Sequence, residues 1–245
     1  IFEELLPKFP RWIIKILTNP MRNRLIDVCR NASAISGITD DFVKWGLMHS
    51  GRERTKKDIH FPMAYIKNKI SKVKEVEAHI FWKGLGIVKN KKILNVLFLG
   101  TFSNSFEFGT VFSAARILLK KEAPIRFVFC GIGKKEAQIR EVCKDLSNCI
   151  AAGWVNAAQI KTILELSDVG LAPYINTKNF TENLPNKPAE YLSENLLIAT
   201  SLSYGKLYEF INSNECGLSY GNDPTKLANF LQDLTKNDKI LKRLK

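Results

Sequence analysis

From Lys92 onward, short apolar segments alternate with segments of helical periodicity, and this alternation constrains the fold more than any other feature of the chain. Near-continuous apolar strands separated by helices are typical of a parallel sheet that helices cover on both faces. Right-handed crossovers then give a doubly wound, Rossmann-like α/β domain. The predicted strands are 93–99, 125–130, 149–152, 168–172, 197–201 and 216–220, and the predicted helices are 111–121, 134–146, 158–166, 187–194, 204–211 and 224–234.

The sequence before Lys92 predicts a smaller amount of α/β structure. It contains candidate strands at 33–38 and 58–63, and candidate helices at 39–47 and 70–85. We therefore expect three parts in the chain. These parts are the remnant of a first Rossmann-like domain at 1–66, a linker helix at 67–91 and a second Rossmann-like domain at 92–245.

The charge of the chain limits the partners that it can have. Its 245 residues carry a formal net charge of +13, and most of the excess lies in the first 95 residues. Such a balance favours nucleic acid, an anionic membrane face or phosphorylated ligands. No nucleic-acid-binding motif is present, so nucleic acid is not an expected partner. No window approaches the roughly 20 apolar residues that a membrane span needs.

The cysteines indicate a reduced compartment. There are five of them, and no two are spaced as C-x-x-C. An odd number of unpaired thiols fits a cytosolic protein and argues against a zinc site.

Residues 1–30 mix apolar clusters with basic side chains. A basic amphipathic segment of this kind can lie in a membrane interface. It can equally form a pair of helices that pack on a neighbouring domain, and the sequence leaves both alternatives open. Pro7, Pro10 and Pro20 are expected to forbid one long helix here.

The stretch 181–192 carries the residues of greatest chemical interest. Glu182 and Glu190 lie eight positions apart, with Lys187 between them. We expect Asn186 to be the N-cap of a helix that has Pro188 in its first turn. Free N–H groups at a helix start, with a lysine beside them, form an anion site, and the two carboxylates can accept hydrogen bonds from hydroxyls. The pattern therefore suggests a ligand with both phosphate and sugar hydroxyls, such as a nucleotide-sugar.

Four predicted loops follow the carboxyl ends of the strands, where ligands bind in sheets of this class. They are 100–109, 131–134, 153–157 and 172–186. Three of them contain glycines that let a backbone approach a ligand. Gly131 and Gly133 lack the third glycine of a dinucleotide fingerprint, and the next strand does not end in an acidic residue, which argues against an NAD site.

The run from Val96 to Leu234 resembles glycosyltransferase family 4, whose members are retaining, metal-independent enzymes with two Rossmann-like domains, the GT-B fold. The resemblance is carried by the segments 98–102, 127–133 and 153–155 and by the Glu182-x7-Glu190 signature. The form Pro185-Asn186-Lys187-x-x-Glu190 is similar to bacterial members that build surface polysaccharides. Residues 34–39 resemble the end of the family's acceptor domain, so the chain is expected to be truncated.

The resemblance implies an enzyme that transfers a sugar from a nucleoside-diphosphate-sugar, expected to be a UDP-sugar, to a lipid-linked or polysaccharide acceptor. It implies no metal or other cofactor. By analogy Glu190 holds the ribose, while Glu182 contacts the transferred sugar and belongs to the catalytic set with Lys187. The remaining donor-site residues implied by the resemblance are Gly100, Thr101, Gly131, Gly133, Gly153, Asn183, Leu184, Pro185 and Asn186.

The loop after the first strand of this domain departs from the family pattern. Many members carry an Arg and a Lys there that reach the diphosphate, whereas residues 100–108 contain neither. Lys187 and Lys206 are the candidate replacement cations. We expect a cytoplasmic protein, with peripheral binding to the inner face of the membrane as a further expectation. Two other functions stay open: a non-catalytic nucleotide-sugar-binding subunit that needs a partner domain, and a nucleotide-sugar epimerase.

Overall fold

The computed structural model describes residues 10–66, 69–90 and 92–236, except for the side chain of Arg11. The described helices are α1 (Arg11–Asn31), α2 (Asp40–Ser50), α3 (Lys72–Gly84), α4 (Gly109–Lys120), α5 (Glu136–Asp145), α6 (Ala157–Glu165), α7 (Lys178–Thr181), α8 (Asn186–Ser193), α9 (Lys206–Ser213) and α10 (Pro224–Lys236). The described strands are β1 (Ser36–Gly37), β2 (Ile59–His60), β3 (Leu94–Leu99), β4 (Ile125–Cys130), β5 (Cys149–Gly153), β6 (Val169–Ala172), β7 (Leu197–Thr200) and β8 (Gly217–Ser219).

The contacts between residues divide the chain into two units. The first unit contains the residues up to Met63 together with Thr177–Leu184. The second contains Ala64–Asn176 and the residues from Pro185 onward. The division predicted from the sequence, with boundaries at 66 and 91, stays a prediction.

The first unit contains α1, α2, α7 and the short parallel pair β1–β2. The loop before β2 is fixed by the Asp58 carboxylate, which is fully buried and accepts hydrogen bonds from Arg52, from Thr55 and from the Ile35 N–H. These bonds, chiefly those from Arg52, hold the pKa of Asp58 below its usual range. The carboxylate therefore ties the strand pair to its connecting loop.

The prediction that prolines prevent one long helix near the start of the chain is wrong at Pro20. This residue lies inside α1, which continues for 21 residues. A proline inside a helix removes one backbone hydrogen bond and costs about 3 kcal/mol. Ile14 and Cys29, on either side of Pro20, are both buried, while Pro20 itself is exposed. Tertiary packing at both ends therefore outweighs the local cost.

The second unit is built on a six-stranded, fully parallel sheet with the order β5-β4-β3-β6-β7-β8. Every residue of β3, β6 and β7 is buried, as a sheet with helices on both faces requires. The predicted α/β Rossmann-like fold is confirmed. Within the described ranges, no helix combines the length and the apolar character that a membrane crossing requires.

Candidate functional site

The strand order reverses between β3 and β6. The chain runs from β3 through β4 to β5 toward one edge of the sheet, and from β6 through β7 to β8 toward the other. The ladder between β3 and β6 joins only Val96 to Val169 and Leu97 to Gly170, so it ends before the carboxyl end of β3. The crevice at such a switch point is the usual ligand site of doubly wound sheets.

A tyrosine from α8 bridges the two strands where their ladder ends. The fully buried Tyr191 hydroxyl accepts a hydrogen bond from the Leu99 N–H at 3.2 Å and donates one to the Leu171 carbonyl at 3.1 Å. The tyrosine ring covers Gly170 so closely that a Cβ there would lie 2.2 Å from a ring carbon. Tyr191 and Gly170 together therefore fix α8 at the switch point.

The start of α8 differs from the sequence prediction by one position. Pro185, not Asn186, occupies the N-cap position, and Asn186 is the first residue of the helix with an exposed side chain. A proline has no side-chain acceptor for the first N–H groups of a helix. Pro188 is buried in the first turn, as predicted, and its missing N–H costs nothing there. The N-terminus of α8 therefore carries the positive partial charge of the helix dipole. The side chain at its N-cap position does not cap its free N–H groups.

Lys187 extends from this first turn across the sheet toward Gly100. Its Nζ atom lies 4.8 Å from the centre of the Phe106 ring and 5.7 Å from that of Phe98. A Cβ at Gly100 would lie 2.6 Å from the Cε and Nζ atoms of this lysine. The glycine therefore provides the space for the ammonium group, which the two rings hold by cation–π attraction.

Burial perturbs Lys187 and Glu190 in opposite directions. Desolvation lowers the pKa of Lys187, and the nearby Glu190 charge opposes this shift without cancelling it. Desolvation raises the pKa of Glu190, and the Lys187 charge again opposes the shift without cancelling it. In a fully satisfied ion pair both shifts would have the reverse sign. Each group is therefore partly desolvated without full compensation from the other.

The glycines at the other strand ends let neighbouring loops pass one another. A Cβ at Gly131 would lie 1.8 Å from the Gly100 carbonyl oxygen, and one at Gly133 would lie 2.6 Å from the Phe102 oxygen. The Gly131 N–H donates to the Gly153 carbonyl at 2.7 Å. Three of the predicted site loops are thus packed backbone to backbone.

The loops that follow β3 and β6 are joined in the same way. The Glu107 N–H donates to the Pro173 carbonyl at 2.8 Å, and the Ile175 N–H donates to the Ser105 carbonyl at 3.1 Å. These bonds flank an antiparallel bridge that contains Phe106. Sequence analysis missed Phe106 and Tyr191 as site residues. Phe106 could have been found from the repeated aromatic residues in the loop 100–108, which lacks the basic residues of the family. Tyr191 could have been found from its position directly after Glu190.

Exposed side chains surround this core of the site. Trp154 is 66% exposed just after β5, and Ile132 is 49% exposed just after β4. Thr101, which follows Gly100, is also exposed. Lys206 begins α9 and forms an ion pair with Glu209 at 3.8 Å. The structure therefore brings Gly100, Gly131, Gly133 and Gly153 together at one end of the sheet, with α8 at the switch point of the same end.

The remaining predicted residues belong to the first unit. Glu182 directly follows α7, and its carbonyl accepts a hydrogen bond from the Thr39 hydroxyl at 2.9 Å. The Asn183 side-chain oxygen is buried and has no hydrogen-bond partner among the described residues. Leu184 is half-buried and ends this segment of the unit. Within the described residues, no cluster of His, Cys, Asp and Glu side chains is placed to hold a metal ion.

A comparison with protein families identifies the family of this chain. The model of the family described as glycosyl transferases group 1 matches residues 94–237, which is more than half of the chain. The chain belongs to the group 1 glycosyl transferases. No curated protein matches it.

Solved structures of low sequence identity share the fold of this group 1 glycosyl transferase. WaaG, a glycosyltransferase involved in lipopolysaccharide biosynthesis, matches 100% of this chain with a TM-score of 0.68 and 15% identity. HepE from Anabaena, in complex with UDP and glucose, matches 93% with a TM-score of 0.63 and 12% identity. A TarM variant from S. aureus, in complex with fondaparinux, α-GlcNAc-glycerol and UDP, matches 92% with a TM-score of 0.65 and 12% identity. The chain spans 66%, 60% and 41% of the lengths of these three proteins, respectively.

Proposed function

We propose that this chain binds the donor of a retaining glycosyltransferase of family 4 and transfers the sugar of a UDP-sugar to a lipid-linked or polysaccharide acceptor. The observation that carries the proposal is the pair Lys187 and Glu190 on the first turns of α8, at the switch point of the sheet. One is a half-buried cation and the other a half-buried carboxylate, and neither fully compensates the desolvation of the other. A ligand with a diphosphate and vicinal hydroxyls would supply both missing interactions.

The diphosphate is proposed to bind at the start of α8. Its charge would meet the Lys187 ammonium and the free N–H groups of the first turn. In this way Lys187 would replace the Arg and Lys that residues 100–108 lack. The metal-independent mechanism implied by the resemblance needs such a cation, because charge develops on the departing diphosphate.

The carboxylates are proposed to bind the sugars. Glu190 would accept hydrogen bonds from the ribose hydroxyls, and its burial would strengthen them. Glu182 would contact hydroxyls of the transferred sugar, with the loop Asn183–Asn186 beside the sugar and phosphates. The base would lie near Gly153 and the exposed Trp154, which offers an aromatic face for stacking. UDP in the HepE and TarM complexes supports uracil as the base.

The acceptor and the location are proposed from composition and from the neighbours. WaaG takes part in lipopolysaccharide biosynthesis, which supports a lipid-linked or saccharide acceptor. The net charge of +13 supports work on the cytoplasmic face of an anionic membrane. In the first unit, α1 exposes Trp12, Ile16 and Leu17 beside basic residues, as an interfacial helix does.

Calorimetric titration with UDP, GDP and ADP, and with a small set of their sugars, tests the donor site. Wild-type chain should bind one nucleotide, and Glu190→Ala should lose roughly 2–4 kcal/mol of binding free energy because two charge-assisted hydrogen bonds to ribose disappear. Glu194→Ala, at the end of the same helix, is the matched control and should keep the wild-type affinity. Equal binding by wild-type chain and Glu190→Ala would refute the role of Glu190, and turnover by the chain with an acceptor would exclude the non-catalytic alternative.

A further inference from the structure

The outer side of α3 carries an exposed apolar ridge. Val73, Val76 and Ile80 lie on one side of the helix and are 68%, 58% and 65% exposed. The opposite side of α3 buries Ala78 and Trp82 against the second unit. An ordinary surface helix has a single apolar stripe, which faces the core. The second stripe therefore needs an explanation outside the packing of this unit.

The ridge is held in a fixed orientation. The Trp82 indole N–H donates to the Gln159 carbonyl at 2.9 Å, which joins α3 to α6. The Lys161 ammonium of α6 pairs with Glu75 of α3 and with Glu165 at 3.2 Å. Both contacts are on the inner side of α3, so the outer side, which is exposed, can bind a surface without any rearrangement.

Basic side chains border the ridge. Lys72, His79 and Lys83 share one edge of α3, and His79 and Lys83 also line a cavity of 290 Å³. The other residues that line the cavity are Ile87, Val88, Lys89, Glu165 and Leu166. Among the nearby carboxylates, Glu75 and Glu165 pair with Lys161, and Glu77 lies on the far edge of the ridge. The edge beside the cavity is therefore cationic, with an apolar floor next to it.

We propose that the outer face of α3 binds the surface of an anionic bilayer. The ridge enters the boundary between headgroups and acyl chains, and the bordering lysines meet the lipid phosphates. Three side chains on a convex helix are too few for a stable protein interface, which buries roughly 1,200–2,000 Å². A bilayer needs no complementary shape, so it fits this surface better than a folded partner does. The inference rests on the proposed peripheral membrane association and adds α3 to the exposed residues of α1 as a surface for it.

Sedimentation with vesicles tests this inference. Wild-type chain should bind vesicles that contain phosphatidylglycerol at low salt, and should bind weakly to pure phosphatidylcholine. Lys72→Glu with Lys83→Glu should weaken binding at least about 25-fold, at about fivefold for each lysine removed. Val73→Ser with Val76→Ser and Ile80→Ser should weaken it at least about tenfold, because the inserted apolar area is lost. Lys120→Glu with Lys226→Glu makes the same change of net charge at exposed positions elsewhere and should keep most of the binding.

The outcomes separate this inference from the proposed function. Wild-type affinity in both α3 variants would overturn the inference. Loss of binding only in Trp12→Ser with Ile16→Ser would assign the contact to the first unit, so the α3 inference would fail while membrane association stands. A change in oligomeric state in the ridge variant would assign the ridge to a second copy and overturn the inference. Every variant should bind nucleotide like wild type, which shows that it is folded and leaves the donor site as a separate question.

Discussion

The starts of α8 and α9 carry the same kind of residue in opposite surroundings. Both helices begin without a side-chain cap, and each has a lysine in its first turn. Lys206 of α9 is 39% exposed and pairs with Glu209 of its own helix at 3.8 Å. The Lys187 ammonium of α8 lies near the rings of Phe98 and Phe106, and burial lowers its pKa. The difference supports the proposal that α8 receives an anion from a ligand, whereas Lys206 of α9 already pairs with a carboxylate of its own helix.

The largest effect is expected on nucleotide affinity when Lys187 is replaced, with the same replacement at Lys206 as the comparison. Lys187→Met should weaken nucleotide binding about 10- to 100-fold, since a charge-assisted contact to the diphosphate is worth about 1.5–3 kcal/mol. Lys206→Met should leave the affinity within about twofold, because its charge is already paired. Calorimetric titration of both variants with nucleotide measures the two affinities. Equal losses in the two would show that the helices do not differ in function.

A smaller effect is expected from the hydroxyl that holds α8. Tyr191→Phe leaves the Leu99 N–H and the Leu171 carbonyl without a partner, so the free energy of unfolding should fall by about 1–2 kcal/mol. Tyr204→Phe, just before α9, removes an exposed hydroxyl and should change stability by less than about 0.5 kcal/mol. Urea unfolding of the two variants measures both values. A stable Tyr191→Phe would mean that α8 is held by packing alone.

The smallest effect is expected in the pH dependence of stability. Burial raises the pKa of Glu190, so the folded chain holds this proton more tightly than the unfolded chain does. Its contribution to the free energy of unfolding is therefore complete below the ordinary pKa of 4.5 and is lost as pH rises through the raised pKa. Burial lowers the pKa of Lys187, so stability should rise with pH between the lowered value and 10.5.

Urea unfolding at a series of pH values checks these signs. Glu190→Gln should abolish the decrease above pH 4.5, and Lys187→Met should abolish the increase toward pH 10.5. Glu209→Gln at α9 is the control and should preserve both features. Profiles that stay unchanged in the two α8 variants would contradict the burial of this pair.

Most of the sheet could be predicted from the sequence, because a buried parallel strand is a continuous apolar run that ends at a glycine or proline. The predicted strand 93–99 is β3 with one residue fewer, and it ends before Gly100 as expected. The helix predicted at 187–194 is α8, which lies one residue earlier at each end. Asn195, just after α8, has a φ of 61°, in the left-handed region that an asparagine after a helix tolerates.

The details of the site could not be predicted, because they depend on contacts between distant segments. The role of Gly131 becomes evident only when its distance from the Gly100 carbonyl is known. The Tyr191 hydroxyl fills a gap between two strands that no local pattern shows. Pro20 was expected to break α1, but packing on both sides of it overrides local propensity. Sequence spacing also could not show that Glu182 groups with the first unit.

The hydrogen bond between the Leu99 N–H and the Tyr191 hydroxyl makes this amide different from its neighbours. The next amide, Gly100 N–H, donates to the Cys130 carbonyl and is released only when β3 and β4 separate. The Leu99 amide is released when the tyrosine leaves the sheet, whether or not the strands part. In heavy water, the rate of deuterium uptake by the Leu99 amide would measure how often α8 separates from the sheet. A donor that binds to α8 should make this separation rarer and should therefore slow the deuterium uptake.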